Sequence, residues 1–209
     1  MGVRSGAIGL LLMVLAVLQG GVAAAQPVDL MAPISPAALE RVNQDAEATL
    51  LRLYRQSPKA QALIARSFGV LVVSAMQAEA DAPGVAQGRG VLIDAVGARS
   101  YYNVVASLAS SVLGLRGKAL ILVFSDYESM RAFQALPGWV EGVNGAIQIL
   151  DDTHLASRRE PVIEPIAAFI LSDTGLVRGL SLKGSLFIRV PMYLCAEHAQ
   201  PSPPDAAKP

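Results

Sequence analysis

The chain has 209 residues, of which 17 are basic and 17 are acidic, and its mean hydropathy is +0.44. This balance of charge argues against a nucleic-acid-binding protein, which normally carries a clear basic excess. Cys195 is the single cysteine. An internal disulfide is therefore excluded, and stability has to come from packing of the core.

The N-terminus has the pattern of a secretory signal. Arg4 precedes an apolar run from Ile8 to Leu18, and a stretch of small residues ends at Ala25. This order predicts cleavage after Ala25 and export to the periplasm or the medium. The alternative is an uncleaved membrane anchor, but the apolar run is shorter than the roughly 20 residues that a span needs. We therefore predict a signal peptide over residues 1–25 and a spacer over residues 26–35.

Two helices are predicted at the start of the mature chain. Ser35-Pro36 is typical of an N-cap followed by proline at the first helical position. Apolar residues at helical spacing then continue to Gln56. Ser57-Pro58 ends this helix and begins a second one, which is predicted from Lys59 to Ser67. The apolar stripe of the first helix consists of Leu39, Val42, Ala46, Leu50 and Leu53.

Short apolar segments that follow the helices predict strands. The most apolar is Ala119–Phe124, which has no polar residue and is predicted to be the centre of the core. Gly117-Lys118 is predicted to be the tip of a hairpin that joins Val112–Leu115 to this strand. Arg116 and Lys118 argue against a membrane span, since each costs about 2.5–3.5 kcal/mol near a bilayer centre. The other predicted strands are Gly69–Val73, a strand that begins at Val91, Tyr101–Val105, Gly145–Leu150, Ile166–Leu171 and Leu180–Val190.

The connections between these strands carry their own signals. Residues 80–90 and 151–165 are predicted loops because they are rich in glycine, proline or polar residues. Ser125 and Glu128 have the spacing of a capping box, which predicts a helix that ends at Pro137-Gly138. We expect the last two predicted strands to pair with each other. In the final strand, one face is predicted to hold Leu182, Gly184, Leu186 and Ile188.

The order of elements predicts an α+β domain over residues 36–195. Its sheet is expected to be largely antiparallel or a partly closed barrel, with N-terminal amphipathic helices and one helix between two groups of strands. Residues 196–209 contain four prolines and few residues that a core would bury. They are predicted to be a disordered tail.

Four segments punctuated by glycine resemble the SYLF domain family, and the likeness extends from about Ala48 to Pro191. The family is associated with the binding of lipids and phosphoinositides, so the resemblance implies a lipid-binding domain. The chain departs from the family pattern at Arg99–Tyr102, which replaces a Trp-Ser-x-Pro-like segment. The four matching segments are Ala65–Val72, Gly88–Leu92, Ser111–Gly117 and Gly175–Ser185.

Few side chains indicate an enzyme. The segment from Asp151 to His154 could bind a metal, but it has no second ligand cluster and is more typical of a solvated turn. Gly179–Gly184 comes near the Gly-x-Ser-x-Gly nucleophile motif but has one residue too many. Cys195 has no predictable neighbour that would lower its pKa. We predict no catalytic residues, no metal site and no cofactor.

The basic residues of the two helices are the candidate binding residues. At 100° per residue, Arg41, Arg52 and Arg55 lie within about 60° of one another and away from the apolar stripe. Each cation near an anionic membrane contributes about 1 kcal/mol. The alternative is that these arginines lie on an ordinary solvated face of the helix. Asp45 lies close to them on the same side of the helix and favours this alternative. The predicted lipid-binding set is Arg41, Arg52, Arg55, Lys59 and Arg66.

Two non-catalytic functions follow from these predictions. The first is an exported phospholipid-binding domain, whose basic helices contact anionic headgroups at a membrane surface. The second is a periplasmic scaffold or assembly protein that binds another protein through sheet edges and loops and has no lipid ligand. An enzyme that uses His154 as a base ranks third.

Overall fold

The computed structural model describes residues 35–78, 84–106, 112–156 and 164–191. The predicted signal peptide, most of the predicted spacer and the predicted tail lie outside these residues. The helices are α1 (Pro36–Gln56), α2 (Pro58–Ile64), α3 (Val112–Leu115), α4 (Tyr127–Ala135) and α5 (Asp152–Ala156). The strands are β1 (Gly69–Val73), β2 (Gln77–Ala78), β3 (Ala86–Asp94), β4 (Arg99–Ala106), β5 (Ala119–Phe124), β6 (Gly138–Val140), β7 (Gln148–Ile149), β8 (Ile166–Ser172), β9 (Gly175–Leu176) and β10 (Leu186–Arg189).

The strands form one sheet that curls into a half-barrel, with the order β6-β10-β4-β3-β1-β5-β8-β7. The pairings along this order are antiparallel except the one between β7 and β8, which is parallel. Two short strands lie off the path, where β2 pairs with β3 and β9 pairs with β8. The predicted α+β class, with its largely antiparallel sheet or partly closed barrel, is confirmed.

β5 is the centre of the core, as the sequence predicts. All six of its residues are buried, since it lies between β1 and β8 and is covered on both faces. Its side chains alternate between two hydrophobic clusters. Leu120, Leu122 and Phe124 belong to the cluster on one face, which we call the inner core. Ala119, Ile121 and Val123 belong to the cluster that packs under α1 and α2, the outer core.

α4 completes the inner core. Phe133 of this helix contacts aromatic rings from four strands, with ring centroids 5.0–5.7 Å apart. Such pairs contribute about 0.5–1.5 kcal/mol beyond the area that they bury. α4 therefore links strands from both sides of the half-barrel. The four partners are Tyr102 (β4), Phe124 (β5), Trp139 (β6) and Phe187 (β10).

α1 covers the outer core and has the predicted boundaries. The Ser35 hydroxyl accepts a hydrogen bond from the Ala38 amide, and Pro36 occupies the first turn. Ala46 and Leu53 are fully buried, while the rest of the predicted stripe is partly buried against the same cluster. The side of α1 that faces away from this stripe is therefore left to solvent.

The predicted hairpin around Gly117 is wrong. Val112–Leu115 is a single helical turn and not a strand. Gly117 donates its amide hydrogen to the Met76 carbonyl, and the Met76 amide donates to the Lys118 carbonyl. These bonds tie the turn to the chain that follows β1. A four-residue apolar segment has too few residues for periodicity to distinguish a helical turn from a strand.

The predicted loop over residues 80–90 is too long at its C-terminal end. β3 begins at Ala86, so Gly88 and Gly90 are strand residues. A Cβ atom at Gly90 would lie 2.5 Å from the Val72 carbonyl oxygen. Glycine at this position allows two backbones to approach closely, and it does not indicate a turn.

The predicted pairing of the last two strands is also wrong. β8 pairs with β5, β7 and β9, whereas β10 pairs with β4 and β6 on the other side of the sheet. The strand itself is shorter than predicted, and its fully buried residue is Phe187, which is not on the predicted apolar face. Pairing between distant segments is not encoded in local periodicity.

Three smaller differences concern element ends. The N-cap of α4 is Asp126, whose Oδ1 accepts from the Ser129 amide over 2.7 Å, and not Ser125. The strand predicted over Gly145–Leu150 is limited to β7. The short helix α5 lies within the predicted loop over residues 151–165. These differences leave the arrangement of the sheet unchanged.

Candidate functional site

A groove of about 490 Å³ lies between α1 and the chain that follows β1. Its residues on α1 recur every three or four positions, so they share one side of the helix. The opposite wall is formed by Ser74 and Ala75. We call this depression the α1 groove. The helix contributes Asp45, Ala48, Thr49, Arg52 and Arg55 to it.

Arg52 is the most constrained cation of the α1 groove. Its Nη1 donates to Asp173 Oδ1 over 2.9 Å, and Gln56 Nε2 donates to the Asp173 carbonyl over 3.4 Å. The pair is exposed to solvent on the aspartate side, so it stabilises the fold by at most about 1 kcal/mol. Arg52 Nε is buried and has no hydrogen-bond partner among the described residues. Asp173 thus neutralises Arg52 and fixes its position.

Arg55 and Arg41 are the free cations of α1. Both are exposed, and within residues 35–78, 84–106, 112–156 and 164–191 neither makes a hydrogen bond or an ion pair. Arg55 lines the α1 groove, while Arg41 lies about 21 Å before it along the helix axis. Leu51 is one turn before Arg55 and is 60% exposed. The solvent side of α1 therefore combines two unpaired guanidinium groups with an exposed leucine.

The other two predicted lipid-binding residues are held elsewhere. Lys59 Nζ donates to the Leu155 carbonyl over 2.7 Å, which connects α2 to α5. Arg66 Nε donates to the Ala62 carbonyl over 3.3 Å, and Arg66 makes a further interaction. The structure thus brings Arg52 and Arg55 together in one groove and does not bring Lys59 or Arg66 to it.

Asp45 is a groove residue that the sequence did not indicate as a ligand contact. It is exposed at the N-terminal end of the α1 groove and makes no ion pair with any described residue. Arg41 is one turn away, at the spacing that often forms a pair, but does not pair with it. Because Asp173 neutralises Arg52, the unpaired charges of the α1 groove are Asp45 and Arg55.

A second depression of about 550 Å³ lies where β4 begins and β10 ends. It contains two arginines, and both guanidinium groups are engaged. Arg99 Nη2 pairs with Glu47 Oε1 over 3.0 Å, and Arg189 Nη1 donates to the Gln134 carbonyl over 3.2 Å. Its other residues are Ser100, Tyr101, Pro137, Val190 and Pro191. No sequence pattern indicates this depression, because its residues come from three separate segments.

The segment from Asp151 to His154 forms a helix cap. Asp151 Oδ1 accepts from the Thr153 and His154 amides, and His154 Nδ1 lies 2.9 Å from it. Arg178 Nε lies 3.4 Å from Oδ2. Burial raises the pKa of the Asp151 carboxyl, but the hydrogen bonds from His154 and Thr153 outweigh it and hold the pKa below its ordinary value. Both carboxylate oxygens are therefore engaged, Oδ1 by these hydrogen bonds and Oδ2 by the ion pair with Arg178.

Metal binding and a serine nucleophile have no support in this geometry. The described part of the chain contains no group of three or more His, Cys, Asp or Glu residues that could hold a metal ion. Ser181 lies in an exposed turn, where its hydroxyl accepts from the Lys183 amide. The segment continues into β10, whereas a nucleophile elbow leads from a strand into a helix.

No protein-family model matches the sequence, and no curated protein matches it. The resemblance to SYLF domains therefore stays a prediction. None of the helices in the described ranges combines the length and hydropathy that crossing a membrane requires.

Proposed function

We propose that the protein is a non-catalytic, exported phospholipid-binding domain that contacts anionic headgroups through basic residues of α1. The observation that carries this proposal is the solvent side of α1, where Arg41 and Arg55 have no partner among the described residues. The buried side of the same helix is anchored by Ala46 and Leu53. Headgroup contact therefore requires no rearrangement of the fold.

The free energy available from this surface is modest and additive. Two unpaired arginines contribute about 1 kcal/mol each near an anionic membrane, or about 2 kcal/mol together. Leu51 adds up to about 1.5–3 kcal/mol if its side chain enters the apolar part of the bilayer. Lys59 keeps its charge while it is hydrogen-bonded to the Leu155 carbonyl, so it still adds to the attraction, whereas Asp173 neutralises Arg52. This combination favours a reversible, peripheral association.

The resemblance of residues 48–191 to SYLF domains supports the same class of ligand. The predicted signal peptide is consistent with it, because an exported protein meets membrane surfaces on the far side of the inner membrane. The two arguments are independent of the charge on α1. They concern the class of partner and not the residues that bind it.

A periplasmic scaffold that binds another protein is the second candidate. The edge strands β6 and β7 have three and two residues, which leaves little backbone for addition of a partner strand. The observation that favours this candidate is an exposed pair of aromatic residues. Phe68 and Tyr127 are 41% and 49% exposed, and their ring centroids lie 6.2 Å apart. Exposed aromatic residues are enriched at protein interfaces.

Co-sedimentation with liposomes tests the first candidate. The secreted chain is mixed with phosphatidylcholine vesicles, with and without phosphatidylglycerol, at low and at physiological salt. We expect binding that needs phosphatidylglycerol and weakens with salt. The variant Arg41→Gln/Arg55→Gln should lose about 2 kcal/mol, or roughly 30-fold in affinity.

The matched control removes the same charge from other elements. Arg131 lies on α4 and Lys183 lies in the turn before β10, and both are exposed. The variant Arg131→Gln/Lys183→Gln should bind vesicles as the wild type does. An equal loss of vesicle affinity in both double variants would show that binding depends on the net charge of the protein and not on α1. No binding to any vesicle would overturn the proposal and leave the scaffold as the remaining candidate.

A further inference from the structure

The α1 groove has one acidic end and one basic end. Asp45 and Arg55 are ten residues apart, which is about 15 Å along the helix axis. Side chains on a helix lean toward its N-terminus, so the long Arg55 side chain can reach back along the groove. The Asp45 side chain leans the same way but is shorter, so an Arg55 side chain extended along the groove brings its guanidinium to roughly 10 Å from the carboxylate. Both groups line the same depression and neither is paired with a described residue.

The basic end can hold a phosphate. Arg52 and Arg55 are three residues apart on one side of α1, so their Cβ atoms are neighbours at about 5–6 Å. Arg52 has five N–H donors, of which Asp173 uses one on Nη1. Ser74 adds a hydroxyl from the opposite wall. Paired guanidinium groups bind phosphate oxygens through charge-assisted hydrogen bonds of about 2.7–2.9 Å.

The charge balance of the groove excludes a preference for a simple anion. Arg52 and Arg55 contribute two positive charges, and Asp45 and Asp173 contribute two negative charges, so the groove with its tether is neutral. A ligand that carries both charges can satisfy both ends. The two charge-assisted hydrogen bonds, one at each end, together take up about 5–6 Å of the roughly 10 Å between the Asp45 carboxylate and the Arg55 guanidinium. The remaining few ångströms suit the short chain of an aminoalkyl phosphate.

We propose that the α1 groove binds a zwitterionic aminoalkyl phosphate, with its phosphate at Arg52 and Arg55 and its ammonium group at Asp45. The volume of about 490 Å³ lies in the range of small-molecule sites and leaves room for a glycerol unit. The same chemistry occurs in the headgroup of an ethanolamine phospholipid and in its free, soluble form. The assignment to a lipid headgroup rests on the proposed function, whereas the dipolar character of the groove does not.

Two soluble probes test the groove, and they share a glycerophosphate but have an aminoethyl group or a second glycerol on its other side. Glycerophosphoethanolamine has the phosphodiester and the ammonium group, and glycerophosphoglycerol has the same phosphodiester without it. Binding to the secreted chain is measured by calorimetry and by amide chemical shifts of α1. We expect glycerophosphoethanolamine to bind at least about tenfold more tightly, or about 1.4 kcal/mol, since its ammonium group adds one charge-assisted hydrogen bond at Asp45.

Single substitutions separate the two ends. Asp45→Asn should reduce the affinity for glycerophosphoethanolamine to that for glycerophosphoglycerol. Arg55→Gln should weaken both probes by a similar factor. The control Glu40→Gln removes an exposed carboxylate from the same helix outside the groove and should change neither affinity. Equal affinity of the wild type for both probes, or an unchanged preference in Asp45→Asn, would overturn the inference.

Vesicles that contain phosphatidylethanolamine distinguish the two sources of the ligand. If the soluble probe binds with the expected preference and no vesicle binds, the groove inference holds for a free metabolite and the proposed lipid function fails. If phosphatidylglycerol vesicles bind through Arg41 and Arg55, with no soluble binding and no effect of Asp45→Asn, the groove inference is overturned and the lipid function remains. If the soluble probe and the phosphatidylethanolamine vesicles both bind, and Asp45→Asn weakens the binding of each, the groove inference and the lipid function are both supported.

Discussion

Single atoms decide the spacing between the central strands. A Cβ atom at Gly90 would lie 2.5 Å from the Val72 carbonyl oxygen and 2.7 Å from Val73 Cγ2. The first of these atoms belongs to the backbone of β1 and cannot rotate away. Glycine is therefore required at position 90, where β3 pairs alongside β1.

Gly90→Ala should destabilise the protein by about 1–3 kcal/mol, because the added methyl group forces β1 and β3 apart. The measurement is the midpoint of urea unfolding followed by circular dichroism. Gly138→Ala is the matched control, since its added Cβ would meet only Leu186 Cδ1 at 3.4 Å. A Gly90→Ala protein as stable as the control would mean that the strands are not in close contact.

The Tyr102 hydroxyl is a buried polar group in the inner core. It makes no hydrogen bond with a described residue, and burial raises the pKa of Tyr102 to about 12, although the nearby Arg189 charge opposes this rise. The unfolded chain releases the phenol proton near the ordinary value of 10.0, whereas the folded chain retains it. The folded state therefore binds more protons between pH 10 and 12, and stability falls as pH rises through that window.

Tyr102→Phe should remove that part of the alkaline loss of stability. At neutral pH the variant should be as stable as the wild type or more stable by up to about 1 kcal/mol, because an unpaired hydroxyl is no longer buried. Urea unfolding at neutral pH and at several values above pH 10 measures both effects. Tyr127→Phe, which removes the hydroxyl of an exposed tyrosine, is the matched control. A large loss of stability at neutral pH in Tyr102→Phe would show that the hydroxyl has a partner.

At the scale of elements, Asp151 connects α5 to the chain after β9. Its Oδ1 caps α5 and its Oδ2 lies beside Arg178. Burial acts to raise the pKa of this carboxyl, but hydrogen bonds from His154 and Thr153 lower it overall. A lowered pKa means that the stabilisation is fully present above the unfolded value of 3.8 and is lost as pH falls through the folded value.

Asp151→Asn should therefore make the unfolding free energy less sensitive to acid below about pH 4. Asparagine still caps a helix, so the loss at neutral pH should be limited to the charged part, about 1 kcal/mol. Asp152→Asn is the control, because this neighbouring residue is exposed. An unchanged acid profile in Asp151→Asn would mean that the carboxylate stabilises no more in the folded state than in the unfolded chain.

Elements whose signals are local could be predicted from the sequence. α1 was predicted with its true ends, since Ser35-Pro36 and Ser57-Pro58 define them through caps and proline geometry. β5 was predicted because its side chains are apolar on both faces. The pairing of β10 with β4 and β6 could not be predicted, because these partners come from distant parts of the chain.

The same distinction applies to the candidate site. The position of Arg52 and Arg55 on one side of α1 follows from helical periodicity, and the structure places both in the α1 groove. The tether from Asp173 and the wall at Ser74 depend on the folded sheet. Asp45 was visible in the sequence only as a charge that weakens attraction to anions. The structure places Asp45 at one end of the α1 groove, where we propose that it binds a cationic group.

At the scale of the whole molecule, the half-barrel has two edges, β6 and β7, that do not pair with each other. The chain between them, residues 141–147, spans at most about 29 Å when fully extended. A bridge between Glu141 and Gly145 shortens it further. This connection limits how far apart the two edges can lie, and side chains of the inner core fill the half-barrel between them. Phe133 of α4 has this role, because its aromatic neighbours lie on strands from both sides.

Phe133→Ala should cost about 3–5 kcal/mol, because it removes a ring from a fully packed position and leaves a cavity. Trp139 is the only tryptophan of the chain and its ring centroid lies 5.3 Å from that of Phe133, so its fluorescence reports on the same core. Tyr127→Ala, at an exposed position of α4, should cost less than about 1 kcal/mol. If Phe133→Ala cost no more than this control, and the emission of Trp139 did not shift toward that of solvated tryptophan, α4 would not be the element that joins the two sides of the half-barrel.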